Sequence, residues 1–390
     1  MSRFIGMFFR KFYSLINNYY AWRYWCYLYR NMKNHIPREK TKKINSMPQY
    51  LDRPGIAFSF DDSFRIYDWY KYGKGIFEDN NVKVTFNINA FHHFEGKREH
   101  TQKEIDMLLE LQSKGHEIAH HSFSHKKATE YSNKFGMNGW IENEIESLNK
   151  WMKSQRHSKT LEGFKRPVTF AFPHSLFNEQ YIKELVPRYF KIVRGHLHND
   201  NLISFNHSGF APSICLDGYY SVNLFYLKKM MKLAKKTGRN LILTCHSILP
   251  KEINWEDYSW GEESKKSGTW RITPETLQEI IDQAKRMGLA FYTTSEISGV
   301  ATFIDPNFEK YVKVLISNST ANWILIADLC SIKELDLSKK EISNLDGIQY
   351  FINLEKITLD SNNLTNFRLL DKLPKLKEII YNSDLNVNVI

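Results

Sequence analysis

Cysteine is scarce in this 390-residue chain: Cys26, Cys215, Cys245 and Cys330 are all it has, and no two form a Cys-x-x-Cys pair. A disulfide-dense framework is excluded, and the scarcity suits a reducing compartment. Long apolar runs are missing too. None approaches the ~20 residues of a membrane-spanning helix. No secretory signal is expected, because Arg10, Lys11, Arg23 and Arg30 cut the first apolar stretches short. Acidic residues are nearly lacking from positions 1–43, where Glu39 faces ten lysines and arginines. That segment carries +9 of the formal +11, and the rest of the chain is close to balance. A nucleic-acid binder carries its basic patch on the folded recognition surface. Nucleic acid is therefore not expected as a partner.

Residues 1–43 are rich in aromatics, among them Phe8, Phe9, Trp22, Trp25 and Tyr27. Basic and aromatic residues together suit a segment lying in a membrane interface. The alternative is a helix packed on the main domain through its aromatic side. Hydrophobic residues make up 42% of the whole and charged residues 25%, so a sizeable core is expected. The length allows one large domain and a smaller one. We divide the chain into an N-terminal segment 1–53, a main domain 54–304, and a connector with repeats 305–390.

Within the main domain, short apolar runs alternate with helical patterns. The runs are Ile56–Phe60, Val82–Ile88, Glu117–His120, Val168–Phe172, Phe190–Val193, Leu241–Cys245 and Leu289–Thr293. Helical spacing covers Lys103–Lys114, Ile141–Met152, Asn223–Lys236 and Pro274–Met287. Strand–helix alternation over this length implies an α/β fold with a parallel sheet. Its expected closure is a distorted TIM-like barrel of about seven strands. After residue 330 a different rhythm begins. Leu335, Ile357 and Ile379 recur at a spacing of 22, as do Leu345 with Phe367 and Leu354 with Leu376. Asn363 stands in an asparagine-rich turn. The unit resembles leucine-rich repeats. Two units and a fragment are too few to stand alone, so they are expected to dock on the barrel, as a structural appendage or a protein-binding one over 331–390.

Three stretches carry chemistry. Ser59-Phe60-Asp61-Asp62 ends an apolar strand, where barrels of this type place active-site groups. Adjacent carboxylates on an extended segment point apart, so one can hold a metal while the other faces a reacting water. His121 and His125 follow a strand at a spacing of four. A helical loop there would put both rings on one side. With one carboxylate they make a three-ligand site with an open position. Leu241–Cys245 delivers His246 at a strand end, where it can protonate a departing amine.

Together these stretches resemble the polysaccharide deacetylase family, also called the NodB-homology family or carbohydrate esterase family four. Its T/S-F-D-D motif is matched at Ser59–Asp62. Its H-S/T-x-x-H motif is matched inside Gly115–His125. Phe170–Asn178 looks like F-A-Y-P-Y-G-x-x-N, with His174 and Ser175 in place of tyrosine and glycine. Leu241–His246 matches the final L-x-L-x-H-type motif. The resemblance covers about residues 54–300.

It implies roles. Asp62, His121 and His125 would bind a divalent metal, zinc first, with cobalt, nickel or manganese as alternatives. Asp61 would be the general base. Arg194 would orient it, ahead of Arg166. The Pro173–His174 turn would supply an oxyanion donor, Leu243 an acetyl pocket, and His246 the general acid. The reaction implied is removal of an N-acetyl group from an amino sugar in a glycan or a lipid- or nucleotide-linked precursor. O-acetyl hydrolysis and a non-catalytic carbohydrate- or protein-binding scaffold are the alternatives. The expected location is cytoplasmic, peripheral on the inner membrane face through residues 1–43.

Overall fold

The computed structural model describes residues 48–92, 98–196, 202–203, 209–217, 224–253, 270–316 and 322–381. The basic aromatic segment 1–43 and its expected membrane contact lie outside the described residues.

The apolar runs form strands in the expected order. They are β1 (Gly55–Asp61), β2 (Thr85–Ile88), β3 (Glu117–His120), β4 (Thr169–Ala171), β5 (Ile192–Gly195), β6 (Leu202–Ile203), β7 (Gly209–Pro212), β8 (Ile214–Cys215) and β9 (Asn240–Cys245). From β1 the parallel sheet runs through β2, β3, β4 and β5 to β7. One residue later β8 pairs with β9, and β9 returns to β1. A single bent strand, broken at Ser213, thus bridges β5 and β9 and nearly closes the ring. β6 is an antiparallel addition to β9. Two small strands, β10 (Ser247–Ile248) and β11 (Arg271–Ile272), pair beyond the end of β9. β12 (Ala290–Phe291) lies beside the start of β1 and, among the described residues, brings the barrel to eight strands. The stretch Gly209–Cys215 was not expected as a strand. Gly209, Pro212 and Ser213 interrupt its apolar pattern, and Pro is uncommon in a central strand.

Alternation along β1 sorts its side chains. Phe58 and Phe60 face outward into the main core with Phe86, Leu241, Leu243 and Cys245. That core is sealed by helices, among them α1 (Gln102–Ser113), α2 (Leu224–Thr237) and α3 (Pro274–Arg286). Thr101 caps α1 with a full capping box, and Thr273 caps α3 ahead of Pro274. Ala57, Ile192, Ala211 and Ile242 form a smaller cluster on the inner side.

At the N-terminal ends of the strands sits a buried polar cluster. Glu117 accepts hydrogen bonds from Thr85 Oγ1 (2.8 Å), Thr169 Oγ1 (2.9 Å) and the Ser295 N–H (2.9 Å). Tyr50 donates to Glu296 (2.7 Å), which also meets Lys83 at 3.4 Å. This end carries the C-terminal region. Tyr50 packs edge-on against Tyr350 at 5.0 Å, and Lys165 pairs with Asp346. Short strands at Glu334–Asp336, Lys356–Thr358 and Glu378–Ile380 form a parallel sheet in which Leu335, Ile357 and Ile379 are in register. The 22-residue spacing has become a strand ladder. Its turn is secured by Asn362 rather than Asn363. Asn362 donates to the carbonyls of Leu337 (2.8 Å) and Leu359 (3.0 Å) and accepts from the Ile342 N–H (3.0 Å).

Candidate active site

β1 delivers two consecutive carboxylates to the opposite end of the barrel, and a backbone reversal separates them. Asp61 is the last strand residue. Asp62 has φ 71°, a left-handed conformation that aspartate tolerates better than most residues. Asp61 Oδ1 accepts from Asn87 Nδ2 (2.9 Å) and from Arg194 Nη2, while Arg194 Nε donates to Ser59 Oγ (2.8 Å). Ser59 and Asn87 come from the paired strands β1 and β2, and Arg194 reaches across the barrel from β5, so the pair is fixed by three strands. Arg194 is buried.

Asp62 meets imidazoles instead. Its Oδ1 lies 3.4 Å from His121 Nε2 and 3.2 Å from His125 Nε2. Its Oδ2 lies 3.7 Å from Arg65 Nε and 3.9 Å from His246 Nε2. The expected helical loop between His121 and His125 is absent. Ser122 (φ 65°) and His125 (φ 59°) are left-handed, and these two reversals bring the rings together at a centroid distance of 4.9 Å. Asn89 Nδ2 holds the loop by donating to the carbonyls of His121 (2.5 Å) and Ser122 (2.8 Å). The strand places His120 and His121 on opposite faces. His120 is buried outward, with Nε2 3.1 Å from the Ile145 carbonyl, and burial lowers its pKa to about 3.

His121 Nδ1 lies 2.8 Å from the Ala171 carbonyl. A carbonyl only accepts, so Nδ1 carries the proton and the Nε2 lone pair points at Asp62. One carboxylate oxygen and two ring nitrogens then lie within 4.8 Å of one another. This donor set fits a divalent cation of the zinc type with a position left open.

His246 follows β9 and is gripped from behind. Its Nδ1 is 2.5 Å from Asp217 Oδ2, and its backbone N–H donates to Asp217 Oδ1 at 3.1 Å. Burial pulls the imidazole pKa down, but Asp217, with Asp62 and Asp61 behind it, outweighs burial and raises it. Trp69 Nε1 donates to the His246 carbonyl (2.7 Å), and the Trp270 ring stands 5.1 Å away. His174 stands 4.6 Å from the His125 ring, in a turn where His174 and Ser175 are both left-handed. Desolvation there lowers its pKa.

Two expected placements change. Leu243 does not reach the mouth. Thr244 and His246 point inward, and the two-residue period turns Leu243 outward into the helix-facing core. Pro173 is buried, has no N–H to donate, and serves to start the turn. Arg166, the second candidate for the arginine, lies outside the site with its guanidinium over Trp323 at 4.4 Å. Sequence reasoning missed Asp217 and Arg65. Asp217 ends the apolar run Ile214–Leu216, the same signal that marked Asp61. Arg65 sits three residues after Asp62, where a turn places both on one side. It also donates to Ser247 Oγ (2.6 Å), next to His246.

The family model for polysaccharide deacetylase matches residues 49–186. No curated protein matches the chain. Solved structures with similarity include a peptidoglycan N-acetylglucosamine deacetylase catalytic domain from Eubacterium rectale, 16% identical, covering 63% of this chain and 90% of that one, with a TM-score of 0.36. A peptidoglycan deacetylase from Bacillus subtilis is 12% identical and covers 70% and 99%, with a TM-score of 0.36. A CE4-family pseudoenzyme from Bacillus anthracis is 12% identical and covers 64% and 66%, with a TM-score of 0.39. The matched stretch 49–186 contains Asp61, Asp62, His121 and His125 and is similar in sequence to polysaccharide deacetylases.

Proposed function

We propose that the protein is a metal-dependent hydrolase that removes an N-acetyl group from an amino sugar. The observation that carries this reading is the convergence of three imidazole Nε2 atoms on Asp62, one residue from a carboxylate held by a buried arginine. Asp62, His121 and His125 are the ligands in this reading, with zinc the first choice of metal. A bound divalent cation supplies Lewis acidity there, polarising the amide carbonyl and making water a better acid. Asp61 takes the proton from the attacking water. Arg194 and Asn87 hold its carboxylate in place. His246 Nε2 gives a proton to the departing nitrogen, and Asp217 at Nδ1 fixes the ring and supports its charge. The backbone N–H of His174, whose ring stands 4.6 Å from that of His125, is the candidate oxyanion donor.

For the substrate we favour a lipid- or nucleotide-linked amino sugar met at the inner face of a membrane, with residues 1–43 as the contact. The basic aromatic composition of that segment supports this part of the reading. The test is metal content together with amine release from matched N-acetyl and O-acetyl sugars. Stoichiometric zinc, amine release, and its loss in Asp61→Asn are expected. A protein that binds no divalent metal and releases neither amine nor acetate, with Asp61→Asn indistinguishable from wild type, sinks the proposal.

A further inference from the structure

We propose that the outer face of α2, the helix leading into β9, docks on an anionic lipid bilayer. This α2 surface is separate from residues 1–43. The docking inference deepens the membrane part of the reading above and rests on it for its purpose, though not for its physics. The helix has the sequence Leu-Phe-Tyr-Leu-Lys-Lys-Met-Met-Lys-Leu-Ala-Lys-Lys-Thr, with five lysines and no acid. Leu227, Met230, Met231 and Ala234 are buried in the main core. The opposite face follows helical spacing as Phe225, Lys228 or Lys229, Lys232, then Lys235 or Lys236. Arg239 continues it just past the helix. Lys232, Lys235 and Lys236 are exposed, and Phe225 is 67% exposed with Lys229 Nζ 5.1 Å from its ring. The neighbouring helix α3 takes up one of these charges, since Lys228 meets Glu279 at 3.6 Å.

An exposed aromatic at one end of a lysine stripe suits a bilayer interface. Lysines meet anionic headgroups while the ring enters the acyl boundary. A phosphate backbone alone gives Phe225 nothing to enter. The placement also matters. Gly238 and Arg239 reverse the chain into Asn240 at the start of β9, and α2 packs back along that strand. Phe225 therefore lies toward the end of the barrel where β9 delivers His246. A bilayer on this face holds the mouth beside the headgroup layer.

The test is sedimentation of the full chain with vesicles of phosphatidylglycerol and phosphatidylcholine, against pure phosphatidylcholine. Each cation at an anionic surface multiplies binding by about fivefold. Lys232→Gln, Lys235→Gln and Lys236→Gln together are expected to weaken binding to anionic vesicles about a hundredfold. Phe225→Ala weakens it further at high salt. Lys333→Gln, Lys356→Gln and Lys377→Gln remove the same charge from the C-terminal sheet and are expected to change binding little. Equal losses in both triple variants, or none in either, overturn the proposal. So does equal binding of the wild type to neutral vesicles, or a preference for duplex DNA lost in the α2 variant. Amine release from a soluble acetylated sugar should survive the α2 substitutions. Vesicle binding without any amine release would leave this surface standing and overturn the deacetylase reading instead.

Discussion

The two ends of the barrel both bury ionisable groups, and they do so in opposite ways. At the N-terminal ends of the strands, Glu117 is surrounded by donors: two threonine hydroxyls and a backbone N–H, all at 2.8–2.9 Å. The protein itself completes that carboxylate. At the C-terminal ends, Asp62 is faced by ring nitrogens at 3.2, 3.4 and 3.9 Å. His121 has committed its proton to the Ala171 carbonyl, so its lone pair looks at the carboxylate. Acceptor facing acceptor is a geometry that a proton or a cation resolves. One end is completed by the chain's own donors, and the other gathers a donor set that fits a cation. Buried charge reads as stability at the first end and as function at the second.

The contrast breaks most easily at His125. Replacing it with alanine removes one donor from the open end and little packing, since the ring is partly exposed. Activity is expected to fall by roughly a thousandfold or more as the Lewis acid is lost. Metal content should drop with it, and the melting temperature should hold. An unfolded His125→Ala protein would make the mouth a structural cluster after all. The reverse outcome is expected for Glu117→Leu. Three buried donors lose their acceptor, at about 3 kcal/mol in denaturant unfolding. The turnover number of the folded protein should stay unchanged.

The open end was largely legible in the sequence, because its chemistry is concentrated in short motifs at strand ends. Asp61, Asp62, His121, His125, Arg194 and His246, all singled out from the sequence, lie together at one end of the barrel. What stayed hidden was how they converge. Two left-handed residues, Ser122 and His125, replace the expected helical loop, and the reason lies in Asn89, more than thirty residues away, holding the loop carbonyls. Asp217 and Arg65 were hidden because their partners are distant in the chain. The placement of Leu243 was a failure of face assignment: a strand alternates strictly, and only the inward position of Thr244 settles which set faces the mouth. The finished end was almost illegible. Its members, Thr85, Glu117, Thr169 and Ser295, carry no shared motif. The bent strand Gly209–Cys215 was lost to its own glycine and proline.

Adjacent histidines sharpen the comparison through pH. His116 accepts from the Val84 N–H (3.1 Å) between the rings of Phe77 and Phe86, and burial lowers its pKa to about 3. His120 is lowered to about 3 as well. Both are neutral in the folded chain, whereas the unfolded chain protonates them near the ordinary value of 6.5. The unfolded state then binds more protons, so their stability contribution is complete above pH 6.5 and is lost as pH falls toward 3. At pH 5 the expected loss is about 2 kcal/mol for each. His116→Gln keeps an acceptor for Val84 and should flatten its share of the slope. A wild type equally stable at pH 7 and pH 5 contradicts the neutral, buried assignment.

The smallest effect is expected at Asn362, beyond the finished end. Its side chain ties two turns of the C-terminal sheet through Leu337, Leu359 and Ile342. Alanine there removes these bonds from a half-buried position, at about 1–2 kcal/mol. The informative part is the shape of the unfolding curve. Phe303, Phe308, Tyr350 and Phe351 share one apolar cluster with the strand residues Leu335 and Ile357, and Tyr50 and Leu51 at the foot of the barrel pack against it. Lys165–Asp346 and Asn344–Glu162 tie the same region to the loop before β4. A unit joined this way should melt with the barrel, in one transition shifted to lower denaturant, and amine release at 25 °C should not change. A separate early transition in Asn362→Ala would mean that the finished end is complete without its C-terminal cover. The cover would then be an independent module, free to serve a partner.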